Sequence, residues 1–230
     1  MVPDSPSDCV WVVIPAFNEA AVIESVVAAV RRAHRNVVVV DDCSSDDTSA
    51  RASAGGAIVL RHVINLGQGA ALQTGIDYAL AQGAEFIVTF DADGQHRVED
   101  IEILCKVQQD RGADVVIGSR FLGRAENIPP SRKLLLKLAA RFMAFTSGLK
   151  MTDAHNGLRL LNRRAAKTIR ITQNRMAHAS EFVNQLGASS LSVVEAPITV
   201  LYTAYSLKKG QKLSNSINIL FDMLIARISR

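Results

Sequence analysis

Asp91 and Asp93 stand one residue apart, directly after the apolar run Phe86 to Phe90. Carboxylates that close repel each other unless something positive lies between them. A hard divalent cation answers that need, because Mg²⁺ takes one or two protein carboxylates and fills its shell with water and phosphate oxygens. Gln95 would add an oxygen or hold a water. His96 is a softer candidate that reads equally well as a loop histidine with no metal role. Further polar groups follow other apolar runs: Pro15-Ala16-Phe17-Asn18-Glu19, Asp41-Asp42, and Asn65 to Gly69. Asp and Asn also cap helices, and capping is the better reading for Ser44 to Asp47. It is weaker for the Asp91/Asp93 pair because of their mutual repulsion.

Such groups must be held by elements, and the hydrophobic pattern supplies them. Val10 to Ile14, Val37 to Val40, Ala57 to Leu60, Phe86 to Phe90 and Val115 to Gly118 read as buried strands. Between them lie helical stretches: Glu19 to Arg32, with Ala21, Val22, Val26, Val27 and Val30 on its apolar side, then Ser45 to Ala52, Gly69 to Ala81 and Val98 to Gln109. Alternating strand and helix predicts an α/β fold, a doubly wound and mainly parallel sheet flanked by helices. In open sheets of this kind, ligands bind beyond the carboxyl ends of the strands. The polar groups above all stand at or near such ends.

Composition agrees. The chain has 230 residues, 48% of them hydrophobic, enough for one substantial core. Aromatics make up only 5%, and the dominance of Ala, Val, Leu and Ile suits a buried parallel sheet. A net charge of +4 suits an anionic ligand or a membrane surface, and without a basic cluster it does not indicate nucleic acid. Cys9, Cys43 and Cys105 are scattered, odd in number and without ligand spacing, so free thiols in a reducing cytoplasm are expected. Met1 to Asp8 lacks the charges and apolar run of a signal peptide, and no stretch reaches the ~20 apolar residues of a bilayer span.

Three segments carry a family resemblance. Val13-Ile14-Pro15-Ala16-Phe17-Asn18-Glu19, Val40-Asp41-Asp42-Cys43-Ser44 and Phe90-Asp91-Ala92-Asp93-Gly94-Gln95-His96 resemble, in order and spacing, the signatures of family 2 glycosyltransferases. The resemblance implies a GT-A fold, a nucleotide-sugar donor, a divalent metal (Mg²⁺ or Mn²⁺) and inversion at the anomeric carbon. Asn65 to Ala71, Gly118 to Phe121, Asp153 to Arg159 and Glu195 to Ile198 bring the chain nearest to dolichol- or polyprenol-phosphate sugar synthases. Where that group usually has Asp-x-x-Ser-Gly-Phe-Arg, this chain has Asp153-Ala154-His155-Asn156-Gly157-Leu158-Arg159. The usual arginine after the Pro-Ile strand is replaced by the segment Tyr202 to Lys212.

Carried onto this chain, the resemblance gives Pro15, Ala16 and Phe17 as a wall beside base and ribose. Glu19 and Asp41 or Asp42 become hydrogen-bond acceptors for the nucleoside. Asn65, Gly67, Gly69, Asp91 and Ala92 complete the nucleotide site, with the glycines allowing close backbone approach. Asp91 and Asp93, with Gln95, would hold the metal against the diphosphate. The acceptor side would draw on Arg120, Arg132, Lys133, Asn156, Arg159 and Lys212.

Two acceptors are weighed. A polyprenyl phosphate is largely dianionic near neutrality, since its second pKa is about 6, and needs no strong base. Arg120 is the leading residue to bind it, through the matched guanidinium fork. A sugar hydroxyl of a growing glycan would need a general base, with Glu181 the first candidate and Asp153 the next. Either Glu181 simply caps a helix start, or it acts. Lys133, Lys137 and Arg141 share one face of a helix that also carries Leu134, Leu135, Leu138, Phe142, Met143 and Phe145. Such a helix either lies at a membrane interface or is an ordinary surface helix. Residues 1–214 are expected to form the catalytic domain. Residues 215–230 would form an amphipathic helix bearing Ile217, Leu220, Phe221, Leu224, Ile225 and Ile228, placed peripherally at the inner membrane face or packed on the core or another subunit. A nucleotidyltransferase is disfavoured by the absence of its glycine- and lysine-rich opening motif, and an inactive scaffold by the intact acidic pair.

Overall fold

The computed structural model describes residues 10–174, 177–203 and 205–206. Seven strands form one sheet: β1 Val10–Ala16, β2 Asn36–Asp41, β3 Ile58–Arg61, β4 Phe86–Thr89, β5 Val115–Glu126, β6 Arg159–Asn162 and β7 Val193–Leu201. Their order is β3-β2-β1-β4-β6-β5-β7. All neighbouring pairs are parallel except those made by β6, which runs antiparallel between β4 and β5. The sheet is therefore mixed and mainly parallel, as expected.

The helices are α1 Ile23–Ala33, α2 Thr48–Ala54, α3 Gln68–Ala81, α4 Glu99–Arg111, α5 Pro130–Ser147, α6 Arg163–Thr168 and α7 His178–Ala188. Successive side chains of a strand point to opposite faces, and β1 shows why both faces must be covered. Val12 and Ile14 enter one apolar cluster with Ile23, Val27 and Val30 of α1 and Ile101 and Leu104 of α4. Trp11 and Val13 enter the other, with Leu72 and Ile76 of α3 and Phe182, Val183 and Leu186 of α7. The result is three layers, helices on both sides of a buried sheet.

Three departures from the sequence reading matter for the site. First, α1 begins at Ile23 rather than Glu19. The residues before it are stitched to the segment after β2: Asn18 N donates to Ser44 Oγ (2.9 Å), Glu19 N to Thr48 Oγ1 (2.8 Å) and Ala20 N to Asp46 Oδ2 (3.2 Å). Second, β5 continues to Glu126, with a break in register against β7 between Ser119 and Arg124. Third, the four-residue β6 places Arg159 opposite Thr89 of β4 and Ile117 of β5. Because β6 is antiparallel, its first residue lies at the carboxyl end of β4.

Candidate active site

The acidic pair emerges where the β1–β4 pairing ends, after Phe90 N donates to Val13 O at 2.9 Å. Asp91 Oδ2 lies 3.0 Å from Nε2 of buried His96, and Gln68 Nε2 donates to its Oδ1 at 3.4 Å. A methyl group on Gly157 would overlap this carboxylate, so only glycine admits Asp91 in this position. Asp93 Oδ1 accepts from Gln95 N at 3.0 Å. Burial opposes the charge of Asp91, but the hydrogen bond and charge of His96, with Arg159 and His178, outweigh it and hold the carboxyl below its ordinary range. Burial, then the neighbouring Asp91, pushes Asp93 up to about 6 against the Gln95 amide and His96, with Glu19 adding to the rise. The pair thus carries more negative charge than its surroundings answer, and the donor set fits a hard cation. Among the described residues no group of three or more His, Cys, Asp or Glu side chains is arranged for a metal. Two carboxylates with room for water and phosphate oxygens are what a Mg²⁺-type ion ordinarily takes from a protein.

On the side of β1 and β2, Pro15 and Ala16 are buried and Phe17 is exposed. Glu19 is buried, and its Oε2 accepts the Tyr205 hydroxyl at 2.7 Å. Asp41 is fully buried, accepting from Ser44 N (2.8 Å) and the Ser49 hydroxyl. Asp42 shapes the loop that follows β3. It accepts from Leu66 N (2.9 Å) and Gly67 N (2.6 Å), and His62 Nδ1 lies 2.8 Å from it. Asn65 Nδ2 reaches the Asp42 carbonyl at 3.1 Å. Both aspartates organise backbone in this structure. Gly67, at φ +97°, needs its glycine for a left-handed backbone. Gly69 is different: a Cβ there would strike the Gln173 carbonyl, and Gly69 N donates to Asn174 O at 2.7 Å. Its small size serves packing of α3 against the 173–174 loop, a correction to its assignment as a nucleotide approach.

The cationic side centres on Arg120. Its Nε lies 2.5 Å from Asp153 Oδ2, and its Nη1 donates to the Tyr202 hydroxyl at 2.5 Å. Asp153 also accepts from Arg120 N (3.1 Å) and Asn156 Nδ2 (3.2 Å). Asn156 is wholly buried, with its Oδ1 accepting from Leu158 N. Arg159 is buried too, its guanidinium 4.3 Å from the Phe182 ring centroid and its Nε donating to Asn156 O at 2.7 Å. Burial lowers its pKa to about 10, and the charges of Asp91 and Asp153 act against that fall. Arg159 therefore stands between the acidic pair and Asp153, nearer the centre than an acceptor assignment alone implies.

Three assignments are corrected. Glu181 spends its carboxylate on Thr172 N (3.0 Å), the Thr172 hydroxyl and Gln173 N (2.9 Å), so it clamps a loop rather than awaiting a proton. Asp153 spends its Oδ2 on Arg120 Nε, Arg120 N and Asn156 Nδ2. Asn156 has no exposed edge for an acceptor. Of the remaining candidates, Arg132 lies 5.4 Å from the Tyr202 ring centroid, Lys133 is exposed on α5, Ala92 is buried between the acidic pair and Gln95 is half-buried. Lys212 and the 215–230 helix fall outside the described residues. The sequence reading missed Tyr202, Tyr205 and His62 as site-builders, and gave His96 no task as the partner of Asp91. His62 and His96 follow strand ends, a weak signal, while nothing local marks Tyr205 as the partner of a residue 186 positions away.

The description Glycosyl transferase family 2 matches residues 11–170. The chain belongs to that family. A protein of unassigned function from Methanocaldococcus jannaschii is 37% identical over 227 residues, 96% of this chain and 93% of its own length. The UDP-N-acetylglucosamine–dolichyl-phosphate N-acetylglucosaminyltransferase of Methanococcus voltae is 31% identical over 178 residues, covering 75% and 70% of the two chains. In fold, the family 2 enzyme resembles glucosyl-3-phosphoglycerate synthase from Mycobacterium tuberculosis, solved with Mn²⁺ and UDP-glucose, at TM-score 0.72 and 19% identity over 96% of this chain and 78% of that one. The mixed seven-stranded sheet is the GT-A fold.

Proposed function

We propose that this glycosyltransferase moves a sugar from a nucleoside-diphosphate donor to a polyprenyl phosphate at the inner membrane surface, with a divalent ion at Asp91 and Asp93. One observation carries the choice of acceptor. The two carboxylates suited to deprotonate a hydroxyl are committed elsewhere, Glu181 to the 172–173 loop and Asp153 to Arg120. A phosphate monoester needs no such base, because it is already largely dianionic near neutrality. The name of the Methanococcus voltae relative, with its dolichyl phosphate acceptor, supports the same reading.

In this reaction a phosphate oxygen of the acceptor attacks the anomeric carbon, and the bond from that carbon to the donor diphosphate breaks in line. Asp91 and Asp93, with Gln95 beside them, would hold Mg²⁺ or Mn²⁺. The ion supplies Lewis-acid neutralisation of the departing diphosphate. Glu19 and the loop built by Asp42 receive the nucleoside against Pro15, Ala16 and Phe17. Arg120 and Arg159 answer phosphate charge, Arg120 toward the acceptor. His96 fixes the direction of the Asp91 carboxylate.

A donor panel with and without polyprenyl phosphate, read as nucleoside-diphosphate release, tests this directly. Lipid-dependent release without pyrophosphate is expected, and Asp93→Ala should abolish it. Release stimulated only by a glycan hydroxyl would move the chain to the hydroxyl-acceptor reading. Full turnover by the variant, or in excess chelator, would remove the metal.

A further inference from the structure

We propose that Tyr202, Thr203, Tyr205 and Ser206, just past β7, form a bracket that positions both substrate pockets at once. Tyr205 sets Glu19 on the donor side, and Tyr202 sets Arg120 on the acceptor side. The assignment of sides rests on the function proposed above. The bracket itself rests on geometry.

Tyr202 is anchored first. Its N–H donates to Glu126 O at 3.1 Å, extending the β5–β7 pairing by one step, and the side chain is buried. Its hydroxyl accepts Arg120 Nη1 at 2.5 Å, while the Arg132 guanidinium lies 5.4 Å from its ring centroid. Asp153 takes Nε of Arg120 and Tyr202 takes Nη1. The guanidinium is thereby fixed on two edges, and among the described residues Nη2 is left as the edge for a ligand. A phenol does this without cancelling charge, as a second carboxylate would.

Tyr205 faces the other way. Its hydroxyl donates to Glu19 Oε2 at 2.7 Å. Burial, the bond to Glu19 and the anions Glu19, Asp46 and Asp93 all push the phenol well above its ordinary range, so it remains a proton donor. That bond restricts the rotation of the Glu19 carboxylate, the group nearest the nucleoside wall Pro15 to Phe17.

The two tyrosines are three residues apart, and Thr203 and Ser206 beside them bond each other reciprocally. Thr203 N donates to Ser206 Oγ (3.0 Å), Ser206 N donates to Thr203 Oγ1 (3.1 Å), and the Ser206 hydroxyl donates to Thr203 O (3.1 Å). Ser206 is buried. Such reciprocal side-chain-to-backbone pairs fix a short segment as a capping box does. Movement of one tyrosine therefore moves the other.

The experiment uses the full chain and conservative variants that keep the rings. Binding of UDP and of GDP with Mn²⁺ is measured by calorimetry, and the KM for a short-chain polyprenyl phosphate by product release. Tyr205→Phe should weaken binding of whichever diphosphate the unaltered chain prefers by about tenfold, the worth of one hydrogen bond to a charged group at its modest end, with the acceptor KM unmoved. Tyr202→Phe should raise the acceptor KM by a similar factor, about tenfold, and leave diphosphate binding alone. Ser206→Ala should shift both. If Tyr205→Phe left diphosphate binding unchanged and Tyr202→Phe left the acceptor KM unchanged, or if Ser206→Ala moved neither parameter, the bracket would be overturned while the donor and acceptor readings stood. If the unaltered chain bound neither diphosphate, the donor reading would fall and the bracket with it.

Discussion

Asp153 is only 2% exposed and pairs with Arg120, 2.5 Å from its Nε. Removing one partner of a buried ion pair strands the other charge, at a typical cost of about 3–5 kcal/mol. Arg120→Ala should therefore lower unfolding free energy in urea by about that amount, and should also lose lipid-phosphate transfer. Substituting both residues with Leu or Met should recover much of the stability but none of the transfer. Equal stability of Arg120→Ala and the unaltered chain would show that the pair is solvated in solution. Gly157 gives a second test, because a methyl there would overlap the Asp91 carboxylate. Gly157→Ala should reduce kcat about a hundredfold, the usual effect of displacing a reacting group by an ångström, with a far smaller change in melting temperature. An unchanged kcat would mean Asp91 does not need this position. These residues show what was legible at this scale. The Asp91-x-Asp93 pair was legible because its meaning lies in local spacing and in mutual repulsion. Its partners were not, because Gly157, Arg159 and His96 are brought to it by strand order and loop closure, which no window of sequence contains.

The central strands were read correctly from their unbroken Val and Ile runs, since burial on both faces leaves no alternation to misjudge. The antiparallel β6 left no such mark: four residues, Arg-Leu-Leu-Asn, are too few to fix a period. The start of α1 was misjudged because its sequence is helical from Glu19, and only the tertiary bonds to Ser44, Asp46 and Thr48 hold it off until Ile23. At the other end of α1 stands His34, its C-cap, whose N–H bonds Val30 O at 2.9 Å. Its ring is buried, neither ring nitrogen has a hydrogen-bond partner, and Glu102 Oε1 on α4 lies 3.7 Å away. Burial lowers its pKa below 6.5 despite Glu102. His155, pushed down to about 4 by burial and then Arg159, has the same sign. In both cases the unfolded chain takes up a proton before the folded chain does. Their contribution to stability is fully present above about pH 6.5 and is lost as pH falls toward the folded pKa values. Urea unfolding between pH 7 and 5 should show stability falling on acidification, with each such histidine contributing at most about 1.4 kcal/mol per pH unit and Asp93, raised to about 6, opposing them with the reverse sign. His34→Leu should flatten that slope and leave the His155 share. A slope identical to that of the unaltered chain would mean that His34 protonates freely in the fold.

At the scale of the whole molecule, the proposed lipid acceptor raises the question of how the chain would meet a membrane surface. No helix among the described residues is long and apolar enough to cross a membrane. The surface offers another route in α5. Its inner side, with Ala140 and Met143 buried, packs against α7. Its outer side exposes Leu134 (61%), Leu138 (54%) and Phe145 (79%), which lie with Arg141 on one stripe at spacings of three and four. Exposed Lys133 and Lys137 flank the stripe, and Arg132 at the start of the helix stacks on Tyr202, the residue that holds Arg120. An apolar stripe set among cations fits an anionic lipid surface, and it runs into the proposed acceptor side of the site. Each Lys or Arg near such a surface is worth about 1 kcal/mol, and the leucines and phenylalanine add their buried area. The intact chain should therefore co-sediment with anionic liposomes at low salt, less at high salt, and little with neutral ones. Replacing Leu134, Leu138 and Phe145 together by Ser should release it into the supernatant while soluble-substrate turnover persists. A chain ending at Ser214 separates the second route, the apolar face expected over 215–230. If the truncated chain still binds and the triple variant does not, α5 is the anchor. If the triple variant binds as well as the intact chain, the stripe has no part in docking, and the C-terminal face carries it.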